Sequence, residues 1–229
     1  NLSALQKLEE ETGKRVYTVL QLRLHPALKE LKKSVENQKI DADAGFLDDR
    51  RAMHDRHNKK KYDVDLTYIT PRGKWYEYSW KGDISKSGGL ATNIGIHFFD
   101  MLIWIFGKIV NVEVHHSDKN KIGGYFELEN ARVKWFLSID KKDLPKNYAN
   151  PSFRSIKIDG KELEFSDVFA DLHTEVYKEI LNGRGFGIND VRPCIELADK
   201  IRQAKPEIKD VNNLHPFLLN HKSNVKDGL

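Results

Sequence analysis

The sequence predicts an α+β fold in which helices lie on one face of an open, largely antiparallel β-sheet. Three observations support this prediction. The chain has 229 residues, 39% of them hydrophobic, so it can build a sizeable core. Segments that alternate between apolar and polar residues follow one another across short turns, and such turns join antiparallel strands. Helical periodicity occurs in separate segments at the start, middle and end of the chain.

The expected strands begin at Tyr62. They are the segments YDVDLTYIT, KIVNVEVHH, GYFELE, ARVKWFLSI and RSIKIDGKELEF. The last segment is predicted to form two strands, because Asp159-Gly160 tolerates the positive φ angles of a two-residue hairpin turn. In ARVKWFLSI, the alternation predicts that Val133, Trp135 and Leu137 face the core. An open sheet in a soluble protein needs a cover on its other face, so we expect that face to be an interface.

Helical patterns occur on both sides of these strands. NLSALQKLEEETGKRV is typical of a helix that ends at Gly13, and the alternating segment VYTVLQLRL after it is a predicted strand. PALKELKKSVEN places Pro26 in the first turn of a helix. Near the C-terminus, SDVFADLHTEVYKEILNG extends from a Ser166 cap to a Gly183 stop, and NDVRPCIELADKIRQA forms the next helix.

Two segments are expected to lie outside the packed core. Residues 36–61 are rich in charge and nearly free of large apolar groups, which predicts a mobile insertion. Its DADAGFLDD stretch faintly resembles a calcium loop, but the glycine is misplaced and no Glu closes the loop, so we expect no metal there. Residues 206–229 show no clear period and are expected to form a loosely held tail.

Composition excludes several classes of protein. The chain carries 38 basic and 34 acidic residues, a net charge of +4 that suits an anionic small ligand but is too mixed for a nucleic-acid surface. Its single cysteine, Cys194, cannot form an internal disulfide, and we expect a reducing, cytoplasmic location. The apolar run Ile94–Phe106 is shorter than the ~20 residues that a membrane span needs. We therefore expect neither nucleic acid, nor membrane, nor metal as a partner.

The segment GGLATNIGIHFFDMLIWIF is apolar apart from a few polar residues. On a helix, Asn93, His97, Asp100 and Trp104 fall within roughly 60° of one another, on one stripe. Each polar residue could be a satisfied core group. A histidine beside a carboxylate, however, is held in one tautomer and exchanges a proton near its reference pKa of ~6.5. The stripe therefore also suits the removal of a proton from an alcohol.

Three other features each allow two interpretations. The glycine pair Gly88-Gly89 allows positive φ or a close backbone approach before the apolar helix. In LQLRLH, the face that carries Gln21 and Arg23 is either a solvated strand face or the wall of a site. The aromatic stretch TPRGKWYEYSWKGD suits either cross-strand packing or contact with a sugar and a negative charge. NGRGFGIND follows a helix, not a strand, and so is not a dinucleotide-binding fingerprint.

The motif residues carry a family resemblance. GGLATNIGIHFFDML resembles the G-G-x-x-x-D/N-x-G-x-H-x-x-D signature of the glucose–fructose oxidoreductase/inositol dehydrogenase (Gfo/Idh/MocA) family, matching at six positions: Gly88, Gly89, Asn93, Gly95, His97 and Asp100. Where many members have Asp, this chain has Asn93. Together with GKRVYTVLQLRLHPAL, VDLTYITPRGKWYEYSWKGD and ILNGRGFGINDVRPCIELADKIR, the motif is most similar to the bacterial UDP-N-acetyl-2-amino-2-deoxyglucuronate 3-dehydrogenase group.

The resemblance implies a domain organisation and a cofactor. Family members carry an N-terminal Rossmann domain that binds NAD and ends in an E-K-P segment with a catalytic Lys. By this resemblance, residues 1–25 are the last helix and strand of such a domain, and residues 26–205 are a substrate-binding and oligomerisation domain. The implied activity is oxidation of the C3 hydroxyl of a UDP-linked N-acetylated amino-sugar uronic acid for lipopolysaccharide O-antigen. The chain alone would be inactive, and the open sheet would pair it into dimers or tetramers.

The resemblance also implies roles for individual residues. His97 would help to take the hydroxyl proton, although the family's Lys could be the principal base. Asn93 would hold a hydroxyl, and Asp100 would orient the imidazole or the helix entrance. Substrate contacts are expected from Gln21, Arg23, Tyr76, Lys81 and Thr92, while Gly88, Gly89 and His173 would support the site.

Two alternative functions remain open from the sequence. One is a non-catalytic module that binds a nucleotide sugar or assembles with other chains. The other is a dehydrogenase of the same family that acts on another sugar or on an inositol.

Overall fold

The computed structural model describes residues 1–44, 61–164 and 171–219. The helices among them are α1 Leu2–Thr12, α2 Pro26–Ala44, α3 Lys74–Tyr78, α4 Ile84–Ser87, α5 Ile96–Phe106, α6 Leu172–Leu181 and α7 Ile188–Gln203. The strands are β1 Tyr62–Ile69, β2 Ile109–Ser117, β3 Lys121–Leu128, β4 Ala131–Ser138, β5 Phe153–Ile158 and β6 Lys161–Glu162. The described residues form two compact units.

The first unit is helical and consists of the described residues within 1–60, 97–108 and 164–196. Helix α1 ends as expected at Gly13, whose φ of 66° is the left-handed conformation of a C-terminal cap. Helix α6 is likewise followed by a left-handed glycine, Gly183, with φ of 75°. The predicted cap at Ser166 lies outside the described residues.

The predicted strand VYTVLQLRL is wrong. Only Thr18 forms a bridge, with Phe186, and Gln21–Leu24 form one turn of 3₁₀-helix. The alternation misled because its polar side is not solvated: Arg23 and His25 are buried along with Leu20 and Leu22. A half-exposed strand has only one buried face, whereas this segment buries both.

Helix α2 begins at Pro26 as predicted but continues to Ala44, so residues 36–44 belong to it and not to an insertion. Its buried side chains include Leu28 and Val35. Residues 45–60, the remainder of the expected insertion apart from residue 61, lie outside the described residues.

The second unit contains the sheet and consists of the described residues within 61–96, 109–163 and 197–229. The strand order is β2-β3-β4-β1-β5-β6. Strands β1 and β4 pair in parallel and every other neighbouring pair is antiparallel, which confirms an open, largely antiparallel sheet in an α+β fold. The hairpin prediction is confirmed too, because Asp159 and Gly160 have φ of 49° and 77°.

Strand β4 is buried on both faces at its C-terminal end. Val133, Trp135 and Leu137 are fully buried, as the alternation predicted, but Phe136 on the opposite face is buried as well. A hydrophobic cluster of Ile69, Phe136, Leu214 and Leu218 covers this end of the second face. The expected interface is therefore occupied here by the chain's own C-terminal segment.

The expectation of a loosely held tail is consequently wrong for the described residues up to 219. Leu214, His215 and Leu218 are buried, and the His215 ring stacks on Phe136 with centroids 5.7 Å apart. The segment is too short to show a period: it packs as a 3₁₀ turn, Val211–Asn213, followed by two non-helical residues and the helical residues 216–219. None of the described helices is long and apolar enough to cross a membrane.

Candidate active site

The motif helix begins unusually. Gly88 and Gly89 both have φ of 75°, and the five residues Ala91–Gly95 form a π-helical turn that continues directly into α5. A π turn is wider than an α turn, so the 100° spacing that placed Asn93 on one stripe with His97 does not hold here. Only His97, Asp100 and Trp104 share the regular part of the helix.

In the first unit, the centre of the motif is a buried ion pair. The Arg23 guanidinium donates through Nε to Asp100 Oδ2 at 2.9 Å and through Nη2 to Asp100 Oδ1 at 2.6 Å. Nη2 also donates to the Asp190 carbonyl at 2.8 Å, and Nη1 lies 3.6 Å from the Asp190 carboxylate. The guanidinium lies 5.2 Å from the Phe186 ring centroid and 6.0 Å from that of Trp104.

This geometry bears on two of the predicted roles. The Nε and Nη2 donors of the buried Arg23 guanidinium are used by Asp100 and by the Asp190 carbonyl, which places Arg23 to hold the helix and disfavours its predicted contact with a substrate anion; Nη1 lies 3.6 Å from the Asp190 carboxylate. Both Asp100 oxygens accept from Arg23, so the carboxylate does not orient the imidazole through a hydrogen bond. Asp100 acts on His97 through its charge.

His97 is half-buried, and its ring forms no hydrogen bond with the described residues. Burial lowers the pKa of its imidazole; the negative charge of Asp100 opposes that shift, and His173 adds to it. The ring is therefore neutral at pH 7 and can accept a proton. His173 itself is exposed on α6 and affects His97 only through charge.

Two other side chains of the first unit bear on the chemistry. The Gln21 side-chain oxygen is buried without a hydrogen-bond partner among the described residues, which leaves an acceptor that an added hydroxyl could satisfy. Cys194 donates its S–H to the Val191 carbonyl, and burial raises its pKa to about 12. The thiol is thus protonated at neutral pH and is a poor nucleophile.

In the second unit, Asn93 joins the aromatic segment. Its amide nitrogen donates to the Tyr76 hydroxyl at 3.4 Å and to the Lys81 carbonyl at 3.3 Å. Thr92 donates its hydroxyl to the Gly88 carbonyl at 3.2 Å, which uses its only donor within the helix entrance. The aromatic stretch forms helix α3 and a turn, so cross-strand packing is wrong for it.

A cavity of about 200 Å³ lies beside this cluster within the second unit. Its walls include Tyr76, Lys81, Gly88, Gly89 and Ala91 from the motif region. Lys119 and Arg202 complete the wall from the turn before β3 and from α7. Sequence reasoning missed these two cations, because nothing in their local sequence distinguishes them from solvated surface charges. The described residues contain no cluster of three or more metal-ligating side chains.

Comparison with known proteins agrees with this architecture. Residues 60–137 match the family model described as the oxidoreductase family, C-terminal alpha/beta domain. The chain belongs to this oxidoreductase family, the Gfo/Idh/MocA family, as the motif predicted.

More specifically, the chain is similar to the WlbA (WbpB) dehydrogenase from Thermus thermophilus, solved in complex with NAD and UDP-GlcNAcA. The two are 46% identical over 94% of this chain and 64% of that one, with a TM-score of 0.80. A second structure of that enzyme, with NAD and alpha-ketoglutarate, gives a TM-score of 0.81. WlbA from Bordetella pertussis, in complex with NADH and UDP-GlcNAcA, shares the fold at 18% identity over 87% of this chain and 64% of that one, with a TM-score of 0.62. The chain thus spans less than two thirds of these relatives' length.

Proposed function

We propose that this chain is the substrate-binding part of an NAD-dependent dehydrogenase that oxidises the C3 hydroxyl of a UDP-linked N-acetylated amino-sugar uronic acid, in the synthesis of lipopolysaccharide O-antigen. The observation that carries the proposal is His97: a half-buried, neutral imidazole, without a hydrogen-bond partner among the described residues, at the motif position. The 46% identity with a dehydrogenase solved with UDP-GlcNAcA supports the choice of substrate class.

In this proposal, His97 accepts the hydroxyl proton. Oxidation of a secondary alcohol removes a hydride from carbon and a proton from oxygen, and a neutral imidazole is suited to the second task. Asp100, held by Arg23, favours the imidazolium that results. Asn93, whose amide donates to the Tyr76 hydroxyl and the Lys81 carbonyl, would hold a sugar hydroxyl, and the buried Gln21 side-chain oxygen would accept a hydrogen bond.

NAD, when bound, supplies the acceptor for the hydride. The described residues of this chain do not fit that cofactor: none of their strands passes through a glycine-rich turn into a helix, and Gly183, Gly185 and Gly187 follow helix α6 instead. We therefore assign NAD mainly to another part of the protein and derive no step through it. We also propose a cytoplasmic homo-oligomer that pairs through the part of the sheet the C-terminal segment leaves uncovered.

The test is His97→Gln in the complete protein, assayed with UDP-GlcNAcA and NAD by the formation of NADH. Loss of a general base predicts a turnover ~10²–10⁴-fold lower, with a melting temperature near wild type because the ring forms no structural hydrogen bond. Exposed His173→Gln should remain active. Since the base form of His97 is active and its pKa lies below 6.5, wild-type activity should fall only as the pH drops below that value.

Two results would contradict the proposal. Full turnover in His97→Gln would remove the role of this residue. Absence of any oxidation of UDP-GlcNAcA by the complete wild-type protein, with binding retained, would favour the non-catalytic module.

A further inference from the structure

We propose that the cavity beside the motif binds the phosphate groups of a nucleoside diphosphate, and that the base of this nucleotide stacks on an exposed aromatic ledge next to it. The aromatic ledge consists of Trp75, Tyr78 and Trp80. The inference rests on the proposed function in that the nucleotide would be the handle of the sugar substrate. It adds a position for that handle and gives a role to Lys119, Arg202 and the aromatic ledge.

The size of the cavity indicates which part of a ligand it accepts. At about 200 Å³ it lies below the roughly 300–1,000 Å³ of sites that enclose a drug-sized ligand. It can therefore take one compact group but not a whole nucleotide sugar. The remainder of such a ligand has to lie outside the cavity, against the neighbouring surface.

The charge of the walls favours an anionic group. Three cationic side chains, Lys81, Lys119 and Arg202, line the cavity against one carboxylate, Asp118. Both oxygens of Asp118 already accept hydrogen bonds, one from the backbone N–H groups of Asn120 and Lys121 and the other from the His116 ring. The wall thus presents an excess of two positive charges, which suits phosphate oxygens.

The three cationic side chains can exchange their present partners for a phosphate group. Lys81 has no carboxylate partner among the described residues, and its ammonium lies 5.9 Å from the centroid of the Trp80 ring. Lys119 is 3.9 Å from Glu77, and both side chains are exposed. Arg202 pairs with Asp199 on the surface of α7, also with both partners partly exposed. Surface pairs of this kind contribute little, so a phosphate group can replace them.

The aromatic ledge is unusually exposed for residues of its type. The exposed fractions are 55% for Trp75, 87% for Tyr78 and 59% for Trp80. The ledge adjoins the cavity at two points: Trp75 packs edge-to-face on the cavity-lining Tyr76 at 5.8 Å, and Trp80 precedes the cavity-lining Lys81. Flat aromatic faces next to cations suit a nucleobase attached to phosphate.

The segment that joins the cavity wall to the aromatic ledge forms a tight turn at Gly82. A Cβ on Gly82 would lie 2.5 Å from the Tyr76 carbonyl, so only glycine allows the turn to return this close. The Asn93 amide bonds to both Tyr76 and Lys81, which fixes the segment to the motif helix. These contacts hold Tyr76 and Lys81 of the cavity wall in the segment that also carries the aromatic ledge.

The experiment is calorimetric titration of the protein with UDP, UMP, uridine and inorganic diphosphate, with tryptophan fluorescence as a second readout. UDP should bind more tightly than UMP, and uridine should bind least, because the phosphates occupy the charged wall. Lys81→Met and Arg202→Met should each weaken UDP binding ~10-fold, the effect expected for loss of one charge-assisted hydrogen bond. Trp80→Leu should weaken UDP binding about tenfold while leaving binding of inorganic diphosphate unchanged.

Matched controls are available on the surface. Lys146→Met removes an exposed lysine that does not line the cavity, and Tyr177→Leu removes an exposed aromatic ring of the other unit. Neither change should alter UDP affinity. Circular dichroism and melting temperature would establish that every variant is folded.

The outcomes separate this inference from the proposed function. Wild-type affinity for UDP in the Lys81→Met/Arg202→Met double variant would overturn the inference, even if the complete protein oxidises UDP-GlcNAcA. Failure to bind UDP together with oxidation of UDP-GlcNAcA would overturn it as well. If UDP binding depends on Lys81 and Arg202 but the protein oxidises no UDP-sugar, the result would support the inference and contradict the proposed function.

Discussion

At the residue scale, the buried pair of Arg23 and Asp100 shows how a local pattern can identify residues and still misassign their roles. The sequence marked both as candidates for a site. Only the fold shows that side chains 77 positions apart neutralise each other. Two buried charges are tolerated because the guanidinium fork satisfies both carboxylate oxygens and also reaches Asp190.

We predict that Arg23→Met lowers the free energy of unfolding by about 3–5 kcal/mol, because it leaves a buried carboxylate without a partner. Asp100→Asn alone should also destabilise the protein, since it leaves the guanidinium uncompensated. The double variant Arg23→Met/Asp100→Asn should lose less than the sum of the two single changes. Urea denaturation of all four proteins would measure the coupling, and additive losses would show that the pair is not a unit.

At the element scale, the entrance of the motif helix depends on glycine. Gly88 has φ of 75°, and a Cβ there would lie 2.5 Å from Thr92 Oγ1 and 3.0 Å from Thr92 Cβ. The hairpin turn at Gly160, between β5 and β6, has nearly the same φ, 77°, but open space around the missing Cβ. A comparison of alanine substitutions at Gly88 and Gly160 therefore separates the free-energy cost of the left-handed backbone from the cost of the close contact with Thr92.

We predict that Gly160→Ala costs roughly 1–2 kcal/mol, the penalty of a left-handed non-glycine residue. Gly88→Ala should cost more, because the Thr92 side chain must also move. Gly88→Ala/Thr92→Ala should recover part of the difference, since it removes Oγ1. Thermal melts of the three variants would test this, and equal losses at Gly88 and Gly160 would contradict a close packing role for Gly88.

At the scale of the whole molecule, the C-terminal segment returns to the middle of the sheet. The backbone N–H of Phe217 donates to His215 Nδ1 at 3.2 Å, so the ring proton lies on Nε2 and is donated to Thr67 Oγ1 at 3.1 Å. Thr67 and His215 are 148 positions apart in the chain. Burial, together with the charge of Lys134, lowers the pKa of His215 from 6.5 to about 3.

This contact predicts a pH-dependent stability. Below pH 6.5 the unfolded chain binds a proton at His215 that the folded protein excludes, so the free energy of unfolding should fall between pH 6.5 and about 3. The loss from this group should reach up to ~4 kcal/mol. His215→Gln should flatten the curve in this window while lowering stability at pH 8. An unchanged slope in the variant would refute the assignment.

Local sequence patterns predicted the elements of this protein that are determined by interactions between residues close together in the chain. Strands β1 to β6, the hairpin at Asp159-Gly160 and the ends of α1 and α7 follow from periodicity and turn chemistry. The strand predicted for VYTVLQLRL did not form because both sides of the segment are buried, and only Thr18 pairs with another segment, at Phe186. The tail was misjudged because Leu214 and Leu218 pack on Phe136, a contact that leaves no period in the sequence.

The candidate site divides in the same way. His97 and Asp100 could be found from spacing on one helix, whereas Asn93, in the π turn before it, and the glycine pair could be found from the motif. Lys119 and Arg202 at the cavity, and the commitment of Arg23 to Asp100, could not, since they depend on long-range contacts.

By itself, therefore, the sequence determined the α+β class, the motif helix and the chemical types of its polar residues, because hydrophobic periodicity and backbone preferences act between near neighbours. Only the tertiary structure decided which charges neutralise each other, where the π turn displaces Asn93, and which cations surround the cavity. Electrostatic and packing energies depend on distance in space, and residues far apart in the chain come within that distance only in the fold.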